Sequence, residues 1–215
     1  MLIQCLGHAK FLLQTDAGQN IVTDPFDPST GYPVGRQAAD LVLVSHQHHD
    51  HNAVGTLTGN PAVIDQAGSF DALPGVRVTA VEAYHDDAKG ALRGKTLLFV
   101  LEADGVRVAH LGDLGHIPEE DTVRALGRID VLLIPVGGHF TIDAAQALKV
   151  CELLHPAVVV PMHYRTAYNS SWPIAPADDF LSIFPARAEH LRILRVTGED
   201  LACQPALAVL EPVFG

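Results

Sequence analysis

The chain has 215 residues, 48% of them hydrophobic and 18% charged, with 14 Lys and Arg against 25 Asp and Glu and a formal net charge of −11 at pH 7. That length suits one domain with a substantial core and is marginal for two, so residues 1–215 are read as a single domain. The acidic balance disfavours nucleic acid as a partner, because gripping a phosphate backbone normally takes a basic stripe, and no apolar run approaches the roughly 20 residues of a membrane span.

The opening "MLIQCLGHAKFLLQTD" has no basic n-region and is interrupted by Gly7, Lys10 and Asp16, so it does not read as a secretory leader. "LIQCLG", "AKFLLQT" and "NIVTD" read as strands, with "DAGQ" as a hairpin turn between the second and third. The Gly/Pro-rich "PFDPSTGYPVGRQ" is an irregular loop. "DLVLVS" is a nearly continuous apolar strand, the kind buried on both faces. Further strands are expected at "AVID", "VRVTAV", "TLLFVLEA", "VRVAHL", "DVLLIPV", "AVVVPM", "LRILRV" and "ALAVLE", with a hairpin centred on Asp104-Gly105.

Three helices are expected. "PEEDTVRALGR" carries Pro118 and acids in its first turn and Gly127 near its end. "TIDAAQALKVCELLHP" has helical apolar spacing and stops before Pro156; "APADDFLSIFPA" is shorter. The order "DVLLIPV", helix, "AVVVPM" predicts a βαβ unit. Three cysteines, Cys5, Cys151 and Cys203, are odd in number and far apart. They point to reduced thiols in a cytoplasmic protein. Nothing in the sequence specifies an oligomer.

Chemistry concentrates in "SHQHHDH" at 45–51, directly after the apolar strand. Imidazole and carboxylate suit zinc, iron and related divalent metals. His46 and His48 are two apart and, in an extended loop, point to the same side. Asp50 and His51 can turn toward a second ion, while His49 faces away. One strand end could therefore supply two metals.

"HQHHDH" fits an H-x-H-x-D-H motif and resembles the metallo-β-lactamase superfamily. "LGHAKFLLQT…IVTDPF", "AHLGDLGH" and "PMHY" fall in that superfamily's order, most like its compact lactonase-like branch of metal-dependent hydrolases. The resemblance implies an α/β (α+β) fold, a four-layer αβ/βα sandwich of two mixed β-sheets with outer helices. It implies that His46, His48 and His85 bind a first metal, that Asp50, His51 and His163 bind a second, and that Asp113 bridges them. Two divalent ions follow, Zn2+ first, with Mn2+ or Fe2+ as alternatives. The implied activity is a binuclear metal-dependent hydrolase, acting through a metal-bridging hydroxide on a small, anionic ester, lactone or phosphodiester. Alternatives are a nuclease of the same fold, which predicts a basic exosite, and a di-iron redox protein, in which Glu tends to replace the second motif histidine.

Around this set, Asp50 and Asp113 are the expected catalytic carboxylates. His116 and His139 are candidates for giving the leaving group a proton. His8 and Asp24 are expected near the site, with Asp24 accepting a hydrogen bond from a ligand imidazole. His110 rivals His85 as third ligand, as does His116. Arg165, next to His163, and Lys89, Arg93 and Lys95, after His85, hint at an anionic small-molecule substrate.

Overall fold

A computed structural model of the protein describes residues 1–214. The first half of the chain builds one sheet. Its strands are β1 (Leu2–Gly7), β2 (Lys10–Gln14), β3 (Asn20–Thr23), β4 (Leu41–Leu43) and β5 (Ala62–Ile64). The second sheet takes β6 (Gly68–Leu73), β7 (Val76–Tyr84), β8 (Lys95–Ala103), β9 (Val106–His110), β10 (Val131–Pro135) and β11 (Val158–Met162). Near the C-terminus come β12 (Glu189–Leu191), β13 (Leu194–Arg195) and β14 (Ala208–Leu210). The sheet orders are β13-β1-β2-β3-β4-β5 and β11-β10-β9-β8-β7-β6, with β12 and β14 as a separate parallel pair.

Both large sheets are mixed. Antiparallel pairing runs from β13 to β3 and from β6 to β9; β3-β4-β5 and β9-β10-β11 are parallel. The expected hairpin joins β8 to β9: Asp104 and Gly105 both have positive φ, 55° and 73°, the turn whose twist matches the flanking strands. The expected βαβ unit is β10, α2 (Ala144–Leu154) and β11, with Val131 opposite Val158. Asp143 starts α2 by accepting from Gln146 N, while the Gln146 side chain accepts from Asp143 N. His155 in the left-handed region ends it.

Alternating strand residues from both sheets face each other and form the main core, including Ile3, Phe11, Leu41, Phe99, Leu133 and Val160. A second core lies outside the second sheet. There Leu98, Val100, Leu132 and Ile134 meet Val150 and Leu154 of α2, Leu126 of α1 (Glu120–Leu126) and Phe180 of α3 (Asp178–Leu181). Outside the first sheet, Leu12, Val22 and Val42 are covered by Ala39, Val54 and Leu57 from loops and a single 3₁₀ turn. The two mixed sheets are as expected; the α-helices of the described residues cover the second. No helix is long and apolar enough to cross a membrane.

Candidate metal centre

β4 is buried on every residue and flanked by parallel neighbours, so its end is fixed in space. Val44 N donates to Ile64 O, and Ser45 O accepts from Leu97 N of the opposite sheet. Beyond Ser45 the chain is bent, not extended. His51 N and Asn52 N both donate to His48 O, at 3.0 and 3.1 Å, closing a turn. The turn brings His46 Nε2 to 3.0 Å from His48 Nδ1 and folds Asp50 and His51 toward the sandwich interior.

The other candidates arrive from neighbouring strand ends. His85 follows β7, Asp113 lies just past β9, His163 follows β11 and His8 follows β1. His8 and His163 both have positive φ, 55° and 53°, and His163 N donates to His8 O. Asp113 is set by its own N–H to Thr96 Oγ1, at 3.2 Å, and by Gly112, whose φ is 47°.

The possible ligand atoms fall into three overlapping groups, each within 4.8 Å: His46, His48 and His85; His8, Asp50, His51 and His163; and His46, His51 and Asp113. Asp113 joins them. Its Oδ1 is 3.2 Å from His51 Nε2, and its Oδ2 is 3.2 Å from His85 Nε2, 3.3 Å from His163 Nε2 and 3.9 Å from His46 Nε2. All seven expected ligands therefore converge, and His8 joins them through Nε2, 3.2 Å from Asp50 Oδ2.

Asp24 underlies the cluster. It is fully buried and accepts from Ser45 N (2.7 Å), Ser45 Oγ (2.7 Å) and His51 Nδ1 (2.8 Å). With Ser45 Oγ donating to Asp24, the Ser45 oxygen accepts from His46 Nδ1 at 2.9 Å. One carboxylate thus turns the Nε2 lone pairs of both His46 and His51 inward. Ser45 and Thr96 were not anticipated from sequence; only their adjacency to the motif and to the hairpin strand marks them.

Electrostatics follow from burial and crowding. Burial raises the Asp113 carboxyl, but His163 and His51 outweigh it and hold the group well below the usual carboxylate range. Burial likewise pushes the Asp50 carboxyl up, and the neighbouring His51 and His8 outweigh it and hold the group below the usual carboxylate range. Burial lowers His46 to about 3 and His8 to about 4, and also lowers His85. His51 moves the other way: burial would lower it, yet the Asp113 and Asp24 carboxylates raise it well above its ordinary value. Ionised carboxylates beside the neutral imidazoles of His46 and His85 are the donor state a divalent cation needs, and a cation bound there would displace the proton that the carboxylates favour on His51. His51 Nε2, Asp113 Oδ1 and His163 Nε2 are buried and have no hydrogen-bond partner among the described residues. Such atoms cost about 1–3 kcal/mol each when left unpaired, and here each belongs to a group of possible ligand atoms. The donor set fits divalent metal ions.

The cluster floors a cleft of about 770 Å³ walled by Arg93, Phe140, Trp172 and Pro173. A depression of about 840 Å³ lies at the far end of the second sheet, among residues 71–77 and 102–107; its Arg77 and Arg107 pair with Asp71 and Glu102.

Five flanking candidates are engaged elsewhere or lie off the cleft. His116 faces away: its Nε2 accepts from Tyr84 N and its Nδ1 donates to Ile117 O, so it has no free proton to offer the cleft and no lone pair for a metal. His110 is also held by backbone, at Ala9 O and Gly112 N. His139 is exposed and packs on Phe140, and Arg165 is exposed; neither lines the cleft. Lys95 pairs with Glu82.

Known proteins share this fold. A family model described as a beta-lactamase superfamily domain matches residues 2–163. A protein of Thermococcus onnurineus described as a metal-dependent hydrolase is 32% identical over 216 residues, 87% of this chain and 93% of its own. One from Pyrococcus furiosus with the same description is 34% identical over 203 residues, 80% of this chain and 86% of its own. The crystal structure of a candidate Zn-dependent hydrolase of the metallo-beta-lactamase superfamily from Thermotoga maritima superposes with a TM-score of 0.80, at 40% identity over 97% of both chains.

Proposed function

The chain belongs to the beta-lactamase superfamily and is a metal-dependent hydrolase, and from that premise we propose that it cleaves a small, anionic ester, lactone or phosphodiester at a two-ion centre. The observation that carries this reading is the position of Asp113, within 3.3 Å of His51, His85 and His163 at once. One carboxylate spanning two ligand groups is the arrangement of a bridged pair.

His46, His48 and His85 would hold one ion, Asp50, His51 and His163 the other, and Asp113 both. Histidine-rich sets with carboxylates suit zinc first, manganese or iron next. Divalent ions bound there supply Lewis acidity, lowering the pKa of a shared water toward neutrality and polarising the substrate's carbonyl or phosphoryl oxygen.

The chain's own residues do the positioning. Asp24 and Ser45 fix the imidazole tautomers of His51 and His46. His8 donates through Nε2 to Asp50 Oδ2 and so orients that carboxylate. With His116 turned away, Asp50, partly open to the cleft, is the carboxylate placed to take up or return a proton. Phe140 and Trp172 line the cleft beside the ligand cluster. Arg93 is the one Lys or Arg among the residues lining the cleft, too little for a nucleic-acid track.

The test is a panel of lactones, carboxylic esters and phosphodiesters assayed with protein reloaded with zinc, manganese or iron. Metal-dependent turnover of at least one class is expected, abolished by Asp113→Ala. Turnover unaffected by chelation, or by loss of Asp113, would overturn the reading.

A further inference from the structure

The cleft wall is polarised. Arg93 sits on the side of the His46, His48 and His85 group, at the end of the loop that follows His85. That loop is built on Asp86, whose carboxylate accepts from the backbone N–H groups of Ala88, Gly90, Leu92 and Arg93 at 2.7–3.0 Å. His85 N donates to Gly94 O and closes its base. The backbone carrying Arg93 is therefore held, and its guanidinium lies over the Phe140 ring, 5.7 Å from the centroid. Among the described residues no carboxylate pairs with it, although 25 acids share the chain.

Across the cleft stands Trp172, edge-on to His8 at 5.1 Å, and His8 packs on His163 at 4.1 Å. Phe140 lies between, 6.3 Å from Trp172. Trp172 is held by its backbone N–H to Asn169 O, and the buried Asn169 side chain braces Thr166 and Tyr164. Arg93, Phe140 and Trp172 thus form a row from the first ligand group to the second, above Asp113.

This row assigns both the class and the direction of the substrate, a step that rests on the hydrolase reading above. We infer that the substrate is an ester or lactone with a carboxylate or phosphate at one end and a planar apolar group at the other. Its anion meets Arg93, its apolar group lies against Phe140 and Trp172, and the scissile group falls between them over Asp113. A guanidinium with no internal partner is a two-pronged donor matched to an oxyanion. An aromatic pair beside it gives the rest of the molecule a desolvated face.

Trp172 is the chain's single tryptophan, so its fluorescence reports the cleft directly. Metal-loaded protein is titrated with phenylacetate and with its neutral isostere phenylacetamide. Phenylacetate is expected to bind about tenfold tighter. Arg93→Met removes that preference by weakening phenylacetate about tenfold and leaves phenylacetamide unchanged; Arg93→Lys restores part of it. Equal binding of the two ligands by the native protein, or phenylacetate affinity unaltered in Arg93→Met, overturns the assignment. Aryl monoesters of glutaric acid and of butyric acid provide the kinetic arm, in which Arg93→Met raises KM for the anionic ester more than it lowers kcat. Hydrolysis of both esters with no preference defeats the assignment and spares the hydrolase reading. An intact binding preference without any metal-dependent hydrolysis does the reverse.

Discussion

Asp24→Asn is the sharpest perturbation short of removing a ligand. The carboxylate is 0% exposed and accepts three hydrogen bonds, one at Oδ1 and two at Oδ2. An amide of the same shape has one acceptor oxygen. If that oxygen replaces Oδ2, the new NH2 faces Ser45 N, donor against donor. If it replaces Oδ1, the NH2 faces His51 Nδ1 and forces the ring to carry its proton on Nε2, the atom turned toward Asp113. The first outcome costs roughly 1–3 kcal/mol of stability for an unpaired buried donor; the second takes a lone pair from the metal centre. Groups that orient a metal-bound imidazole are worth about 10–100-fold in metal affinity, or about 1.4–2.7 kcal/mol. Chelator competition gives the affinity for each ion, and thermal unfolding with and without metal gives the stability. The larger loss is expected at the ion held by His51. Ser45→Ala, which removes the hydroxyl linking Asp24 Oδ2 to His46 Nδ1 and leaves the bond to His51, is expected to weaken the other ion and guards against a variant that fails to fold. Native affinities for both ions in both variants would refute the idea that Asp24 sets the two tautomers.

Two further outcomes test other parts of the structure. Gly112→Ala is expected to unfold at lower temperature and to bind metal less well, because φ is 47° and an added Cβ would stand 2.6 Å from Thr96 Oγ1 and 2.8 Å from Ser45 Cβ; calorimetry and metal content check both, and a native-like variant would mean that Asp113 is not held by this approach. Lys10 is buried beside the Phe26 ring, and burial lowers its ammonium from 10.5 to about 8. The unfolded chain binds the proton better, so the charged lysine costs stability in full below pH ~8 and the cost fades as pH rises toward ~10.5. Lys10→Met should therefore stabilise by about 1–2 kcal/mol near pH 7, less than the ceiling set by the shift because of the nearby ring, with the gain vanishing toward pH 10; denaturant unfolding at the two pH values measures it, and a pH-independent difference would contradict it.

Most strands were legible because buried β-strands write themselves as short aliphatic runs between Gly, Pro and Asp. β6 was not: "GSFDAL" is an edge strand, exposed or half-buried throughout, and carries no such run. "LRILRV" reads as one strand but is divided between β12, which pairs with β14, and β13, which pairs with β1. The third helix shortens to Asp178–Leu181, with no side-chain cap at Ala177 and Pro185 soon after.

At the site, the 46–51 motif was legible because histidines and an aspartate packed at a strand end have few other reasons to gather, and Asp113 and His163 were legible through the superfamily resemblance that the motif carries. What composition could not convey was direction. Lys89, Arg93 and Lys95 look alike in a charged stretch, yet only Arg93 reaches the cleft floored by the ligand cluster, because the Asp86 hydrogen bonds curl the loop. His116 looked free beside Asp113, but neighbouring backbone takes both its nitrogens. Trp172 belongs to no periodic pattern; only the fold carries it back over His8.

Everything proposed for the chemistry requires the strand ends to hold a pair of cations around one carboxylate. Elemental analysis of chelator-stripped and reloaded protein, native and Asp113→Ala, measures this directly. Two equivalents of divalent metal per native chain, falling to one or fewer in the variant, is the expected result. A native chain that retains a single equivalent at saturation, or a variant that keeps both, would contradict the bridged pair.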